Sequence, residues 1–165
     1  MAHSDWRGGR IGDRLLRPPH LRAPLSYWKD NISLFSYAVS VTENNFLARY
    51  NLGAAYLGIN RSDLALKEFQ KYLEIIRDNP EAYATVASLL DREGRTEEAA
   101  NYHFKALELK PDEPQYLNNV GIVLLQQNKL DEAIKHFSEA LRLNPQFLQA
   151  ASNLQFAQGR KSRTP

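Results

Sequence analysis

Three asparagines recur at one point of a repeated phrase, and their side chains are the ones best suited to bind another polypeptide. Asn51, Asn119 and Asn153 are separated by multiples of thirty-four residues, and Thr85 occupies the same point of the intervening phrase. A carboxamide has an acceptor oxygen and two donor hydrogens, so a row of them can bond the backbone amides of an extended peptide. Two other interpretations stay open, because such an asparagine can also bond a neighbouring helix or be solvated.

The histidines and adjacent acidic residues do not form a catalytic set. His103 and His136 fall on different predicted helices, and His103 occupies a column that holds phenylalanine in two parallel phrases, which favours a packed histidine. Acidic pairs such as Glu97-Glu98 lie at predicted helix starts, where they favour the positive end of the dipole. The sequence has no cysteine, no glycine-rich phosphate loop and no metal-ligand spacing. We therefore expect a protein that is not an enzyme and binds no metal or cofactor.

The positive charge of the chain is concentrated in its two ends. Residues 1–24 and 159–165 each carry a net charge of +3, whereas residues 25–158 sum to −4. A nucleic-acid-binding fold presents basic residues on the fold itself, so we expect no nucleic-acid partner. No apolar run reaches the length of a membrane helix, so we expect no membrane insertion of this chain. We expect 1–24 to be a flexible leader, natural or added in cloning, and 160–165 to be a basic tail.

Periodicity extends from the asparagines to the whole central part of the chain. Three rows of thirty-four residues, 46–79, 80–113 and 114–147, align without insertion. Each row divides into two stretches of about fourteen residues with apolar positions three and four apart, which indicates a pair of amphipathic helices. Glycine or asparagine at the break between the stretches supplies the left-handed conformation that ends a helix. Three columns hold small or ring-bearing residues: Gly53, Ala87 and Gly121; Ala65, Ala99 and Ala133; and Phe69, His103 and Phe137.

The period, the small-residue columns and the prolines at the row ends resemble the tetratricopeptide repeat family over residues 46–147. The resemblance implies an all-α fold, a right-handed αα superhelix (TPR solenoid) in which the three rows are the repeats. An N-terminal half-repeat helix over 25–45 and a capping helix over 148–159 complete it. The first repeat is the loosest match to the family pattern. Arg49 stands where the family has an apolar residue, Tyr72 where it has alanine and Arg77 where it has proline.

The same resemblance implies that the first helix of each repeat lines a concave groove, which binds a peptide or a segment of a partner protein. The asparagine column is similar to the ladder in the O-linked N-acetylglucosamine transferase superhelix, with Thr85 as its one departure. Another groove of this family, the two-carboxylate clamp, needs basic residues where this chain has residues such as Leu47 and Glu81. The predicted groove residues are Tyr50, Asn51, Leu57, Thr85, Ser88, Arg92, Asn118, Asn119, Ile122, Gln126, Asn153 and Phe156.

Residues 26–45 carry a second resemblance. Their sequence, SYWKDNISLFSYAVSVTENN, is similar to the segment that joins the last membrane helix to the repeats in certain bacterial multi-pass membrane proteins related to glycosyltransferases. It implies that this chain is the C-terminal domain of such a protein, where it selects the acceptor on either face of a bacterial membrane. A homo-oligomeric scaffold built by stacking terminal faces is a further alternative, although we expect a monomer. The sequence predicts no particular compartment.

Overall fold

The computed structural model describes residues 30–163, and α-helices form most of this range, with no strand in it. The predictions for the leader, the start of the half-repeat and the last two residues fall on 1–29 and 164–165, outside the described residues. In chain order the helices are α1 Asn31–Val41, α2 Phe46–Gly58, α3 Ser62–Ile75, α4 Pro80–Arg92, α5 Thr96–Leu109, α6 Pro114–Gln126, α7 Leu130–Leu143 and α8 Leu148–Lys161.

Neighbouring helices pack in pairs, and the pairs stack. α2 packs against α3, α4 against α5 and α6 against α7, while contacts of α3 with α4 and of α5 with α6 join successive pairs. Because only a few residues connect the helices of a pair, these helices run antiparallel. α1 packs against α2 at one end of the stack, and α8 packs against α7 at the other. The predicted all-α superhelical repeat fold is confirmed.

The turn inside each helix pair has the same backbone conformation. Asn60, Gly94 and Asn128 have positive φ angles of 58°, 76° and 60°. The residue after each of them donates its N–H to a carbonyl in the last turn of the first helix, as Arg61 N does to Tyr56 O at 2.9 Å. This left-handed termination is the one that glycine and asparagine at the breaks predicted.

Asparagine also begins two of the first helices. Asn45 Oδ1 accepts the N–H of Ala48 at 3.0 Å, and Asn79 Oδ1 accepts the N–H of Ala82 at 2.9 Å. Such caps satisfy one of the backbone donors that a helix start leaves unpaired. The capping asparagines therefore help to fix where the first two repeats begin, and they position α2 and α4, which carry predicted groove residues.

Close approach of the two helices in a pair depends on glycine facing a ring. A Cβ atom placed on Gly121 would lie 2.5 Å from Phe137 Cε1, and one on Gly53 would lie 3.0 Å from Phe69 Cε2. Both rings are buried, so the phenylalanine fills the space that the glycine side chain leaves. Because interiors are packed as densely as crystals, this pairing explains why small residues recur in that column.

The departures in the first repeat have local partners. Arg49 Nη1 lies 3.0 Å from Glu68 Oε2, and only 18% and 12% of these two side chains are exposed. This partly buried ion pair ties α2 to α3 where the family pattern has an apolar residue. Tyr72 is buried, and its hydroxyl accepts a hydrogen bond from Asn79 Nδ2 at 2.9 Å.

The capping helix is longer than predicted. The prediction ended it at residue 159, but α8 continues to Lys161. Arg160 Nη2 donates to Asn128 Oδ1 at 2.8 Å, and Lys161 pairs with Asp131. These bonds, and the favourable position of basic side chains at a helix C-terminus, explain why the first two residues of the predicted basic tail are helical.

Candidate functional site

Two neighbouring depressions lie on the first helices of the repeats, and we call their combined surface the inner groove. The first depression runs from Leu57 on α2 across α4 to Gln115 on α6. The second runs from Asp91 on α4 to Gln126 on α6, with one residue of α5 in its lining. The centre of the inner groove is marked by the three residues that line both depressions, Ser88, Arg92 and Asn119.

The structure brings most of the predicted groove residues together on this surface. Leu57 and Thr85 line the first depression, where Leu57 supplies apolar surface. Ile122 and Gln126 line the second depression, where Ile122 supplies the apolar part. With the three central residues and Asp91, the inner groove therefore combines apolar side chains with neutral polar ones, a guanidinium group and a carboxylate, which suits a polypeptide ligand.

Local hydrogen bonds decide which groups the inner groove offers to a ligand. The hydroxyls of Thr85 and Ser88 donate to the carbonyls four residues earlier, at 2.8 and 2.9 Å, so their oxygens remain as acceptors. Gln115 Nε2 donates to Asn119 Oδ1 at 3.1 Å. No bond from Asn119 Nδ2 occurs within residues 30–163, so Asn119 offers donors. The inner groove thus presents acceptors on α4 and donors on α6.

Arg92 lies in the last turn of α4 and is exposed. Within residues 30–163 its guanidinium forms no ion pair and no side-chain hydrogen bond. The contrast with Arg95 is clear, because that guanidinium pairs with Glu93 at 3.1 Å and with Glu98 at 2.8 Å. Arg92 therefore keeps its donors available at the centre of the inner groove.

His103 is a packed, hydrogen-bonded histidine at the edge of the second depression. It is buried on α5, and its Nε2 lies 2.8 Å from Asp91 Oδ2. In the column of small residues this repeat has Ala87 where the other two have glycine, and in the column of rings it has His103 where they have phenylalanine. The bond to His103 holds the Asp91 carboxylate towards α5.

One predicted groove residue is wrong. Asn118 is fully buried, and its Oδ1 accepts a hydrogen bond from Asn153 Nδ2 at 2.9 Å. The reason is that α8 contacts α6 and closes over this part of it. For Asn153 the structure therefore supports the interpretation in which an asparagine bonds a neighbouring helix. Asn118 Nδ2 has no partner in the described part of the chain.

Three further predicted residues lie outside the inner groove. Tyr50 packs its ring edge-on against two rings of α3, with centroids 5.4 and 5.2 Å away, so it belongs mainly to the core. Asn51 lines a separate depression between α1 and α2. Phe156 is 59% exposed and lines a depression on α8 with Arg163. Asn51, Asn119 and Asn153 consequently do not share one depression in the described structure.

Sequence reasoning missed two apolar residues of the inner groove. Leu89 lines the first depression and Val123 lines the second. They are thirty-four residues apart, so the second and third repeats contribute the same position to the floor of the inner groove. Their shared repeat position could have indicated that both belong to the groove. Both residues are buried, however, and the sequence pattern alone assigns them to the core.

Within residues 30–163, no group of three or more histidine or acidic side chains is placed to hold a metal ion. In the same range, no helix has the length and apolar character needed to cross a membrane.

Comparison with known proteins identifies the repeats. Models described as tetratricopeptide repeat match residues 47–79, 82–115 and 114–147, which together are more than half of the chain. No protein of curated function matches the sequence significantly.

Solved structures are similar in fold. MamA superposes with a TM-score of 0.72 at 20% identity, covering 79% of this chain and 77% of that one. The first TPR of Spaghetti (RPAP3), bound to an HSP90 peptide, superposes with a TM-score of 0.64 at 21% identity, covering 75% of this chain and 98% of that one. YrrB, described as a TPR protein with an unusual peptide-binding site, superposes with a TM-score of 0.63 at 21% identity, covering 77% of this chain and 65% of that one. With three consecutive family matches on three observed helix pairs, the chain belongs to the tetratricopeptide repeat family.

Proposed function

We propose that this chain is a non-catalytic protein–protein interaction module that holds a segment of a partner protein in its inner groove. The observation that carries the proposal is the cluster of Ser88, Arg92 and Asn119, which lines both depressions with polar groups available to a ligand. The proposal is supported by two similar solved structures of the same repeat family, one bound to a peptide and one described as having a peptide-binding site.

Binding by this surface uses main-chain recognition and apolar burial together. The oxygens of Thr85 and Ser88 accept backbone N–H groups of the segment, and Asn119 Nδ2 donates to its carbonyls. Leu57 and Ile122 pack against apolar side chains at either end. Each hydrogen bond contributes about 0.5–1.5 kcal/mol, so several must form together for measurable affinity.

The asparagine ladder remains a prediction in a reduced form. Of the three asparagines in the column, Asn119 lines the inner groove, together with Ser88 and Thr85 on α4. Asn51 contributes only where the segment continues beyond α2 towards α1. Asn153 contributes little, because its Nδ2 already donates to Asn118.

A blocking substitution with a matched control tests the proposal. Ser88→Tyr places a ring in the wall that both depressions share, whereas Ser138→Tyr makes the same change on an exposed position of α7, outside them. The probe is a random pool of acetylated, amidated peptides of about twelve residues, long enough to cross three helices. Its retention on immobilised chain is measured by mass spectrometry.

The wild-type chain and Ser138→Tyr should retain a common subset of the pool, and Ser88→Tyr should lose it. Circular dichroism must show the same helicity for all three proteins, because both sites are exposed. Equal retention by Ser88→Tyr and Ser138→Tyr would place binding elsewhere on the molecule and refute the proposal.

A further inference from the structure

We propose that the segment held in the inner groove carries an aspartate or glutamate near its middle, and that Arg92 binds this carboxylate. The inference rests on the proposed function and adds the chemistry that the segment must have. It starts from the one guanidinium in the first depression and from the hydrogen bonds around it.

Charge complementarity is the first argument. Among the described residues, Arg92 is the only charged side chain that lines the first depression, whose other lining residues are apolar or neutral polar. A guanidinium presents its donors in a fixed fork that matches the two oxygens of a carboxylate. Since no acidic side chain within residues 30–163 pairs with Arg92, an acidic ligand group supplies the missing partner.

The neighbouring hydrogen bonds point to the same kind of ligand. Gln115 Nε2 donates to Asn119 Oδ1 at 3.1 Å, which uses one of the two acceptor sites of that oxygen. Both Nδ2 donors of the amide beside Arg92 have no partner within residues 30–163. A carboxylate accepts bonds through both oxygens and donates none when it is ionised. Arg92 and Asn119 together therefore form a donor cluster that fits a carboxylate better than it fits an amide or an ammonium group.

Asp91 decides on which side of Arg92 the carboxylate binds. Asp91 lines the second depression, where its charge opposes an acidic ligand. Its Oδ2 lies 2.8 Å from His103 Nε2, which turns it towards α5, and it does not line the first depression. The acidic side chain therefore enters on the first-depression side of Arg92.

The position of Arg92 distinguishes a side chain from a chain end. Arg92 lies where the two depressions meet, with Leu57 on one side and Gln126 on the other. A segment that crosses this surface passes Leu57 on α2, Arg92 on α4 and Gln126 on α6 in turn. A segment that fills both depressions therefore has its middle at Arg92, so the carboxylate belongs to a side chain and not to the C-terminus.

Three matched peptide pools test this inference. All are acetylated and about eight residues long, with every other position random. The first has glutamate fixed in the middle and an amidated end, the second has glutamine there and an amidated end, and the third has glutamine there and a free carboxylate end. Each pool is applied to the wild-type chain, to Arg92→Gln and to Arg77→Gln, which removes an exposed arginine between α3 and α4, outside both depressions.

The wild-type chain and Arg77→Gln should retain the glutamate pool about 1.5-fold to fivefold more than the amidated glutamine pool, as expected for an exposed charge pair. Arg92→Gln should retain the two equally, with an unchanged melting temperature. Retention of all pools without a glutamate preference would overturn the acidic inference and leave the groove function standing. A preference for the free-carboxylate pool would overturn the side-chain assignment, and no retention of any pool would overturn both proposals.

Discussion

Replacing Gly121 by alanine should destabilise the chain, although alanine is the better helix former. The new Cβ would lie 2.5 Å from Phe137 Cε1, and real Cβ atoms essentially never come within 3.0 Å of a neighbour. Phe137 is completely buried, so the ring or α7 must move by about half an ångström or more. Overpacking of this kind costs about 1–3 kcal/mol, and the helix propensity of alanine returns about 1 kcal/mol.

The net effect expected for Gly121→Ala is therefore a loss of up to about 2 kcal/mol, or up to about 8 °C in melting temperature. Two other glycines provide an internal scale. At Gly53 the nearest ring atom would be 3.0 Å away, so Gly53→Ala should be nearly neutral. At Gly159 no atom lies within 4 Å, so Gly159→Ala should stabilise the helix by about 0.5–1 kcal/mol.

Thermal melts followed by circular dichroism rank the stabilities of the three glycine variants. A double-mutant cycle then shows whether contact with the Phe137 ring causes the loss in Gly121→Ala. In a Phe137→Leu background the ring is gone, so Gly121→Ala should cost little or become stabilising. If Gly121→Ala is as stable as Gly159→Ala, or if its cost is the same with leucine at position 137, steric pairing of glycine and ring is not what brings α6 and α7 together.

Three smaller predictions concern the turn, the ion pair and pH. Gly94 has a φ of 76°, so Gly94→Ala should lower the free energy of unfolding by about 1 kcal/mol. Gly58 lies in open space, so Gly58→Ala should not lower it. Chemical denaturation of the two variants measures the difference. Glu68→Leu leaves Arg49 partly buried without its partner and should cost about 1–3 kcal/mol, most of which the Arg49→Leu/Glu68→Leu double variant should recover in the same assay. Burial, followed by the charge of Lys135, holds the pKa of His136 below its ordinary value of 6.5. The folded chain thus binds this proton more weakly than the unfolded chain, and stability should fall as the pH drops through 6.5 and below. His136→Gln should show a smaller loss between about pH 8 and about pH 5 in urea titrations.

The fold could be predicted because its determinants are local and repeated. Asn60, Gly94 and Asn128 each close a turn through their own backbone conformation, and the apolar spacing fixes which face of each helix is buried. Such signals do not depend on distant parts of the chain. Repetition then reinforces each of them, so helix pairs and their order follow from the sequence.

The groove was harder to predict because orientation depends on neighbours that are remote in sequence. Asn118 is buried because α8 packs over α6, and its partner Asn153 lies thirty-five positions later. The ring of Tyr50 packs against the ring of Tyr72, a residue at a position where the family has alanine. Helical position alone assigned both side chains to the groove. The resemblance of residues 26–45 to a membrane-linked segment stays a prediction.

The central claim is that the inner surface of α2, α4 and α6 holds another polypeptide. Its most direct test is a titration of ¹⁵N-labelled chain with a peptide recovered from the random pool, followed by amide chemical shifts. The account predicts the largest changes around Thr85, Ser88, Arg92 and Asn119, with α3, α5 and α7 mostly unaffected. Changes concentrated on α3, α5 and α7 would contradict it.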